Sequence, residues 1–299
     1  MIRYKTLYFP AIMAIFLLLS GLSSGQQTLR QQIAAISKNI PAKVGVYAMV
    51  LETGDTVSYN RDQQFPMQSV YKFPIAMAIL DQVDKKKFTL DQPVMVNKSD
   101  IMPRGVSPIR EKYPVGNVAI PLRELLQYNI SASDGTACDV LLRLLGGTTN
   151  ANTYVRQLGV KQMTIATTEK EQQVNDEMVQ YRNWSTPAAM TALLTIFYEG
   201  QVLSDSSNAL LLDLMITSGP GAKRIKGLLP PGTVVAHKTG TSGTAGGLTR
   251  ATNDAGIITL PNGHHLAIAI FVADAKADQD EREATIAKIT KAAWDHWTK

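Results

Sequence analysis

This 299-residue chain carries one cysteine, Cys138, so no intramolecular disulfide can form. Cys138 follows Ala137 in an apolar, helix-spaced segment, where a buried and inert thiol is expected. Four histidines are present, His237, His264, His265 and His296, and no pair has metal-ligand spacing, which argues against a zinc centre. Internal repeats and low-complexity tracts are absent. No basic run is interleaved with aromatics, and a net charge of +5 is too mild to call for nucleic acid. Lys85-Lys86-Lys87 reads as a solvated helix end favoured by the dipole.

What is there begins at the N-terminus. Arg3 and Lys5 precede a largely apolar stretch from Leu7 to Leu19, followed by Ser20-Gly21-Leu22-Ser23-Ser24-Gly25. A charged start, an apolar core short of a comfortable membrane span and a small-residue cleavage zone describe a secretory leader over 1–25. No cysteine lies near that zone, which argues against a lipid anchor. Removing the leader takes away Arg3 and Lys5 and leaves a net charge of +3. The remainder, 26–299, suits a single domain with a sizeable core. It is expected to be a monomer, periplasmic or secreted, with no membrane contact after cleavage.

Hydrophobic spacing predicts an amphipathic helix over about 29–36 and a hairpin over 43–59, turning at Glu52-Thr53-Gly54-Asp55. From Ser69 to about Met215 nearly every periodic segment reads as helix. Strands are expected at 234–238, 254–260 and 265–272, the last two joined by Pro261-Asn262-Gly263-His264, and a final helix at 281–297. Strands at both ends around a helical middle imply an α+β fold, an antiparallel sheet closed by distant segments with a helical lobe inserted. The division expected is an α/β lobe from 26–64 and 216–299 and a helical lobe over 65–215, with a cleft between them.

Three short motifs carry chemistry. Ser69-Val70-Tyr71-Lys72, ahead of the apolar run Phe73 to Leu80, places a hydroxyl and an amine one helical turn apart. A serine at the first turn of a helix meets free N–H groups and a dipole that favour developing negative charge. It becomes a useful nucleophile when a nearby amine takes its proton. Alone, the pattern fits a polar cap and a surface lysine better than a catalytic pair. The second motif, Ser133-Asp134-Gly135, sits where a helix marked by Leu122, Leu125, Leu126 and Ile130 gives way to the next. The third, His237-Lys238-Thr239-Gly240-Thr241-Ser242-Gly243, continues the β-branched run Gly232 to Ala236. Their order and spacing count for more than any one of them.

Together these motifs resemble the active site of the penicillin-recognising serine enzymes, and more narrowly that of the class A β-lactamases. Gly159 followed ten residues later by Glu169, Pro187-Ala188-Ala189-Met190 and Ala255-Gly256-Ile257-Ile258 fit the same pattern. Gln180-Tyr181-Arg182-Asn183-Trp184 is similar to the extended-spectrum branch of the PER and VEB type. The resemblance covers essentially the whole chain after the leader. It implies an α/β sandwich lobe with a five-stranded antiparallel sheet beside an all-α lobe. It implies β-lactams, cephalosporins and penicillins, as substrates, with no metal and no cofactor, and hence β-lactam resistance.

In that family's mechanism Ser69 attacks the lactam carbonyl and Lys72 orients or deprotonates it, while Ser133 passes a proton to the departing nitrogen. Whether Lys72 or a carboxylate acting through water is the acylation base stays open. Lys238, Thr239, Gly240, Thr241 and Ser242 bind substrate, and the N–H groups of Ser69 and Thr241 hold the oxyanion. Glu169 activates the deacylating water, Glu171 is a solvated loop residue, and Gln173 stands where an asparagine shares that water.

Three departures bear on specificity. Thr167 and Asn183 occupy the places of an arginine–aspartate clamp, and the span from Glu169 to Pro187 is one residue longer. A wider loop admitting bulky oxyimino cephalosporins is the expectation, and Ser242 points the same way. Gly135 replaces an asparagine that binds the substrate's side-chain carbonyl and contacts the lysine, so restoring asparagine there is expected to raise kcat/KM. Arg224 and Arg250 fit either the carboxylate site or solvent, His237 is expected to edge the site, and Trp184, Trp294 and Trp297 read as packing residues. Two alternatives remain. A D-alanyl-D-alanine carboxypeptidase or transpeptidase shares the motifs but lacks a counterpart of Glu169, and a β-lactam sensor normally carries membrane segments.

Overall fold

The computed structural model describes residues 24–174, 176 and 178–299, so the expected leader lies outside the described residues but for its last two positions. In chain order the elements are α1 (Ser24–Lys38), β1 (Lys43–Val50), β2 (Thr56–Tyr59), β3 (Phe65–Pro66), α2 (Lys72–Asp84), β4 (Pro93–Val96), α3 (Pro108–Lys112), β5 (Val118–Pro121), α4 (Leu122–Ile130), α5 (Gly135–Leu145), α6 (Thr148–Gln157), β6 (Met163–Thr164), β7 (Trp184–Ser185), α7 (Pro187–Tyr198), α8 (Asp205–Ile216), β8 (Val235–Thr241), β9 (Thr244–Ala245), β10 (Leu248–Thr259), β11 (His265–Ala275) and α9 (Gln279–Trp297). The main sheet follows the antiparallel path β2-β1-β11-β10-β8, five strands as expected, with the two-residue β9 added on β10.

Alternation along β11 shows how the sheet organises two cores. Leu266, Ile268, Ile270 and Val272 pack with Leu29 and Ile33 of α1 and Ile286 and Ile289 of α9. Ala267, Ala269, Phe271 and Ala273 face the other way, into the core built on α2. Residues Lys72 to Asp81 of α2 are all buried, so this helix runs through the helical body rather than along its surface. Each large apolar side chain enclosed there contributes about 1.5–3 kcal/mol.

The elements differ from expectation where polar groups have partners that local spacing does not reveal. β10 begins at Leu248, well before Asp254, because Thr249, Thr252 and Asn253 are buried strand residues. Asn253 donates to the carbonyls of Pro66 and Met67, at 2.7 and 3.1 Å. Helix α9 begins at Gln279, capped by Asp278. Short strand pairs, β4–β5 and β3–β7–β6, interrupt the expected helical middle. Among the described residues no helix is long and apolar enough to cross a membrane.

Candidate active site

The serine–lysine motif does not lie on an α-helical turn as expected. Gln68–Tyr71 is a 3₁₀ turn that runs into α2 at Lys72. In that geometry residues i and i+3 eclipse, which brings the two side chains closer than an α-turn does. Lys72 Nζ lies 3.0 Å from Ser69 Oγ. It also donates to the Ser133 carbonyl at 2.7 Å and pairs with Glu169 Oε1 at 3.0 Å. Three N–H donors meet three acceptors, so the ammonium is fully satisfied although Lys72 is only 1% exposed. Burial pushes Lys72 down, but the Glu169 carboxylate, joined by Cys138 and Asp134, offsets it and holds the amine above its ordinary value. Ser69 Oγ in turn lies 3.5 Å from Glu169 Oε1.

Close packing of β8 explains the glycine of the third motif. A Cβ on Gly240 would lie 2.3 Å from the Met67 carbonyl oxygen, so only glycine lets the strand approach the Ser69 turn. Two residues earlier along the motif, Lys238 Nζ donates to Ser133 Oγ at 2.8 Å and to the Thr239 carbonyl at 2.9 Å. Burial, and then the positive charge of Lys72, push Lys238 down to about 7. Ser133 itself sits at φ +57°, a left-handed conformation that costs a non-glycine residue about 1–2 kcal/mol. Asp134 stabilises that turn, accepting from the N–H of Ala137 at 2.9 Å and of Ile109 at 2.7 Å.

Glu169 is presented by a loop pinned to α5. Asp139 accepts the N–H of Glu169 at 2.7 Å and that of Lys170 at 2.9 Å. Helix α5 therefore supports both the Ser133 turn and the Glu169 turn. Burial pushes the Asp139 carboxyl up to about 7 from an ordinary 3.8. The folded protein thus binds this proton more tightly than the unfolded chain, and stability falls as pH rises from about 3.8 to about 7. Asp139→Asn is expected to remove that slope from a plot of melting temperature against pH. It also leaves one acceptor for two N–H donors, so a tenfold or greater fall in turnover is expected, as for loss of a charged hydrogen bond of about 1.5–3 kcal/mol.

The place of the absent arginine–aspartate clamp is filled without charge. Asn183 Oδ1 accepts from the N–H groups of Ala166 and Thr167 at 2.7 and 2.8 Å, and its Nδ2 donates to the Thr167 carbonyl at 2.8 Å. Glu171 is exposed and accepts from the Thr168 N–H at 2.8 Å, a local turn contact. Gln173 donates to the Arg104 carbonyl at 2.8 Å, across the mouth of the site. Its neighbour Gln172 has both amide atoms buried with no hydrogen-bond partner among the described residues. Spacing drew attention to Gln173, and nothing in the sequence distinguishes the side chain next to it.

A cavity of about 520 Å³ unites these groups; its wall includes Ser69, Lys72, Ser133, Glu169, Gln172, Gln173, Thr239, Thr241 and Ser242. Lys238 and Gly240 lie beneath the wall, one under Ser133 and the other against the Ser69 turn. Arg224, left open between two roles by the sequence, is buried beside the cavity. Its Nη2 donates to Thr241 Oγ1 at 2.7 Å, its Nη1 to the Asn253 carbonyl at 2.9 Å, and Glu283 pairs with it at 3.0 Å. His237 does not edge the site, being fully buried against Asp254. Cys138 is buried and its thiol is pushed well above its ordinary value by that burial.

Gly135 is not on the cavity wall. A Cβ there would lie 3.3 Å from both Cγ and Cε of Met102 and 3.5 Å from the Val106 carbonyl, against the 102–106 loop. Gly135→Asn is therefore expected to lower the melting temperature, as overpacking by about 1–3 kcal/mol does, and to leave kcat/KM no higher. This reverses the gain expected from the missing amide. A rise in kcat/KM on a cephalosporin, with the melting temperature unchanged, would restore the amide argument.

Along most of its length the chain is similar to known proteins. The family model described as the β-lactamase enzyme family matches residues 28–297. Extended-spectrum β-lactamase PER-1 of Pseudomonas aeruginosa is 39% identical over 272 residues, 91% of this chain and 88% of that protein. β-Lactamase VEB-1 of the same organism is 37% identical over 288 residues, 96% of each chain. The crystal structure of TLA-1 extended-spectrum β-lactamase superposes with a TM-score of 0.90 at 45% identity, covering 92% of this chain and 100% of that one.

Proposed function

Because the chain belongs to the β-lactamase enzyme family and is a class A serine β-lactamase, we propose that Ser69 opens the lactam ring of cephalosporins and penicillins and that Glu169 drives hydrolysis of the resulting ester. The observation that carries this reading is the saturated Lys72 ammonium, which ties Ser69, the Ser133 carbonyl and Glu169 to one point. Lys72 above its ordinary value keeps its proton at rest, so Glu169, acting through a water, is the group that accepts the Ser69 proton. Ser69 Oγ bonds to the lactam carbon, and the oxyanion meets the N–H groups of Ser69 and Thr241. Ser133 Oγ, which accepts from Lys238, gives its own proton to the nitrogen as the C–N bond breaks. The proton Glu169 took from Ser69 passes by way of Lys72 to Ser133, which restores the hydroxyl and leaves Glu169 a carboxylate for the second half. A second water attacks the ester carbonyl, its proton passes to Glu169, and Ser69 Oγ departs and is reprotonated. Gln173 Oε1 and the Gln172 amide, both buried on the cavity wall without a partner among the described residues, are the groups offered to that water.

Lys238, Thr239 and Thr241, backed by Arg224, take the substrate carboxylate. Ser242 and the Gln173–Arg104 contact border the side-chain end of the cavity. The neutral Asn183 clamp, in a loop of unusual length, supports an extended-spectrum, cephalosporin-hydrolysing enzyme. The leader reading, from Arg3, Lys5 and the apolar stretch after them, supports an enzyme that acts in the periplasm or outside the cell and there confers β-lactam resistance. A chromogenic cephalosporin tests the catalytic reading. Turnover is expected to continue beyond one equivalent per enzyme, whereas a burst that stops at one equivalent would make the chain a target or sensor.

A further inference from the structure

Behind the cavity wall, on β8 and β10, lies a pair that the hydrolytic cycle above does not use. His237 and Asp254 are both fully buried. His237 Nδ1 lies 2.9 and 3.0 Å from the two carboxylate oxygens of Asp254. With the carboxylate as acceptor, Nδ1 carries the hydrogen, and Nε2 is left buried with no partner. A buried carboxylate and an unsatisfied ring nitrogen cost stability that an apolar pair in the same space would not. The two strands pack closely at this pair. His237 faces Gly256 across the ladder, and a Cβ on Gly256 would come within 2.7 Å of the His237 Cβ.

Asp254 reaches both halves of the carboxylate-binding end. Its Oδ2 accepts the N–H of Ile225 at 3.2 Å, which fixes the turn that carries Arg224 onto Thr241. It is also one of the four charged groups that act on Lys238, together with Lys72, Glu169 and Arg224. Lys72 and Arg224 oppose a charged Lys238, and Glu169 and Asp254 favour it. Lys226 is a further cation under the influence of Asp254.

We infer that Asp254, oriented by His237, is a positioning residue for substrate-carboxylate recognition: it locks the Arg224 turn and supplies the buried negative charge that lets Lys238 meet an anionic substrate. The inference rests on the reading of Lys238 as the cation that binds the substrate carboxylate.

The test follows kcat and KM against pH for the full-length mature enzyme with a cephalosporin and with its carboxylate methyl ester. In the unsubstituted enzyme kcat/KM for the acid is expected to fall as pH rises through about 7, as Lys238 loses its charge, and the ester is expected to lack this limb. In Asp254→Asn the limb moves to lower pH, and KM for the acid at about pH 8 and above rises about tenfold, the factor carried by one unit of displaced titration. Its kcat changes less than about threefold. His237→Asn, whose Nδ2 replaces the Nδ1 donor, is expected to behave like the unsubstituted enzyme, and His237→Leu to raise KM about tenfold. An ester that shows the same limb as the acid overturns the reading of Lys238 itself. A limb confined to the acid but unmoved in Asp254→Asn overturns the role of Asp254 alone. If Asp254→Asn does not fold, the histidine variants decide: equal KM values for His237→Asn and His237→Leu overturn the positioning role.

Discussion

Ser69→Ala is expected to leave a folded protein whose β-lactam turnover falls by about 10⁴-fold or more, the scale on which loss of a serine nucleophile acts in other hydrolases. Alanine removes one acceptor from the Lys72 ammonium but leaves its contacts with Glu169 and the Ser133 carbonyl, at 3.0 and 2.7 Å. The 3₁₀ turn is held by groups the substitution does not touch, chiefly Asn253 on the carbonyls of Pro66 and Met67 and the close approach of Gly240. A melting temperature within a few degrees of the parent is thus expected, and inactivity would not reflect unfolding. Intact-mass spectrometry after brief exposure to a cephalosporin should show one adduct on the unsubstituted enzyme, on the peptide containing Ser69. The alanine variant should show none. An adduct on Ser133, the other hydroxyl beside a buried lysine, would move the nucleophile there and reverse the roles of Lys72 and Lys238.

Much of this architecture is legible in the chain because its cores obey simple periods. Alternation gives β11, and the unbroken apolar run gives α2, whose burial extends even to Lys72 and Asp81. Legibility fails where polar residues are buried and satisfied by distant partners. Thr249, Thr252 and Asn253 make the first half of β10 look unlike a strand, yet their contacts hold the Ser69 turn and the sheet around it. The three motifs locate the site because each pairs a special backbone need with a reactive side chain. Gly240 allows close approach, and Ser133 is held in a left-handed turn by the Asp134 cap. Supporting groups carry no such mark. Asp139 reads as an ordinary acid near the start of a helix, and Arg224 fits the carboxylate site and solvent alike, until the loop and strand they serve are folded around them. Gln172 and Gln173 differ only in the direction their amides point, which the 3₁₀ turn at Glu171–Gln173 decides.

Glu169→Gln separates the two chemical steps. The amide cannot accept a proton from water, so deacylation is expected to slow by about 10²-fold or more, the contribution of a general base, and acyl-enzyme should accumulate. Acylation is expected to respond differently because of Lys72. The Glu169 carboxylate is the foremost of the charges that offset burial at that amine, so without it burial weighs more and the Lys72 proton is held less tightly. A neutral Lys72, 3.0 Å from Ser69 Oγ, then becomes a competent base. Acylation of Glu169→Gln should therefore persist within about tenfold of the parent and increase with pH as Lys72 loses its proton, while deacylation stays slow throughout. Glu171→Gln should be nearly neutral, since that side chain is exposed and contacts only the Thr168 N–H. Stopped-flow acylation and intact-mass measurement of the acyl-enzyme, taken across the pH range, distinguish these outcomes. Accumulation in Glu171→Gln rather than Glu169→Gln would transfer the role of base by one turn of the loop. Acylation lost as completely as deacylation in Glu169→Gln would show that Lys72 cannot replace the carboxylate and that one base serves both halves of the reaction.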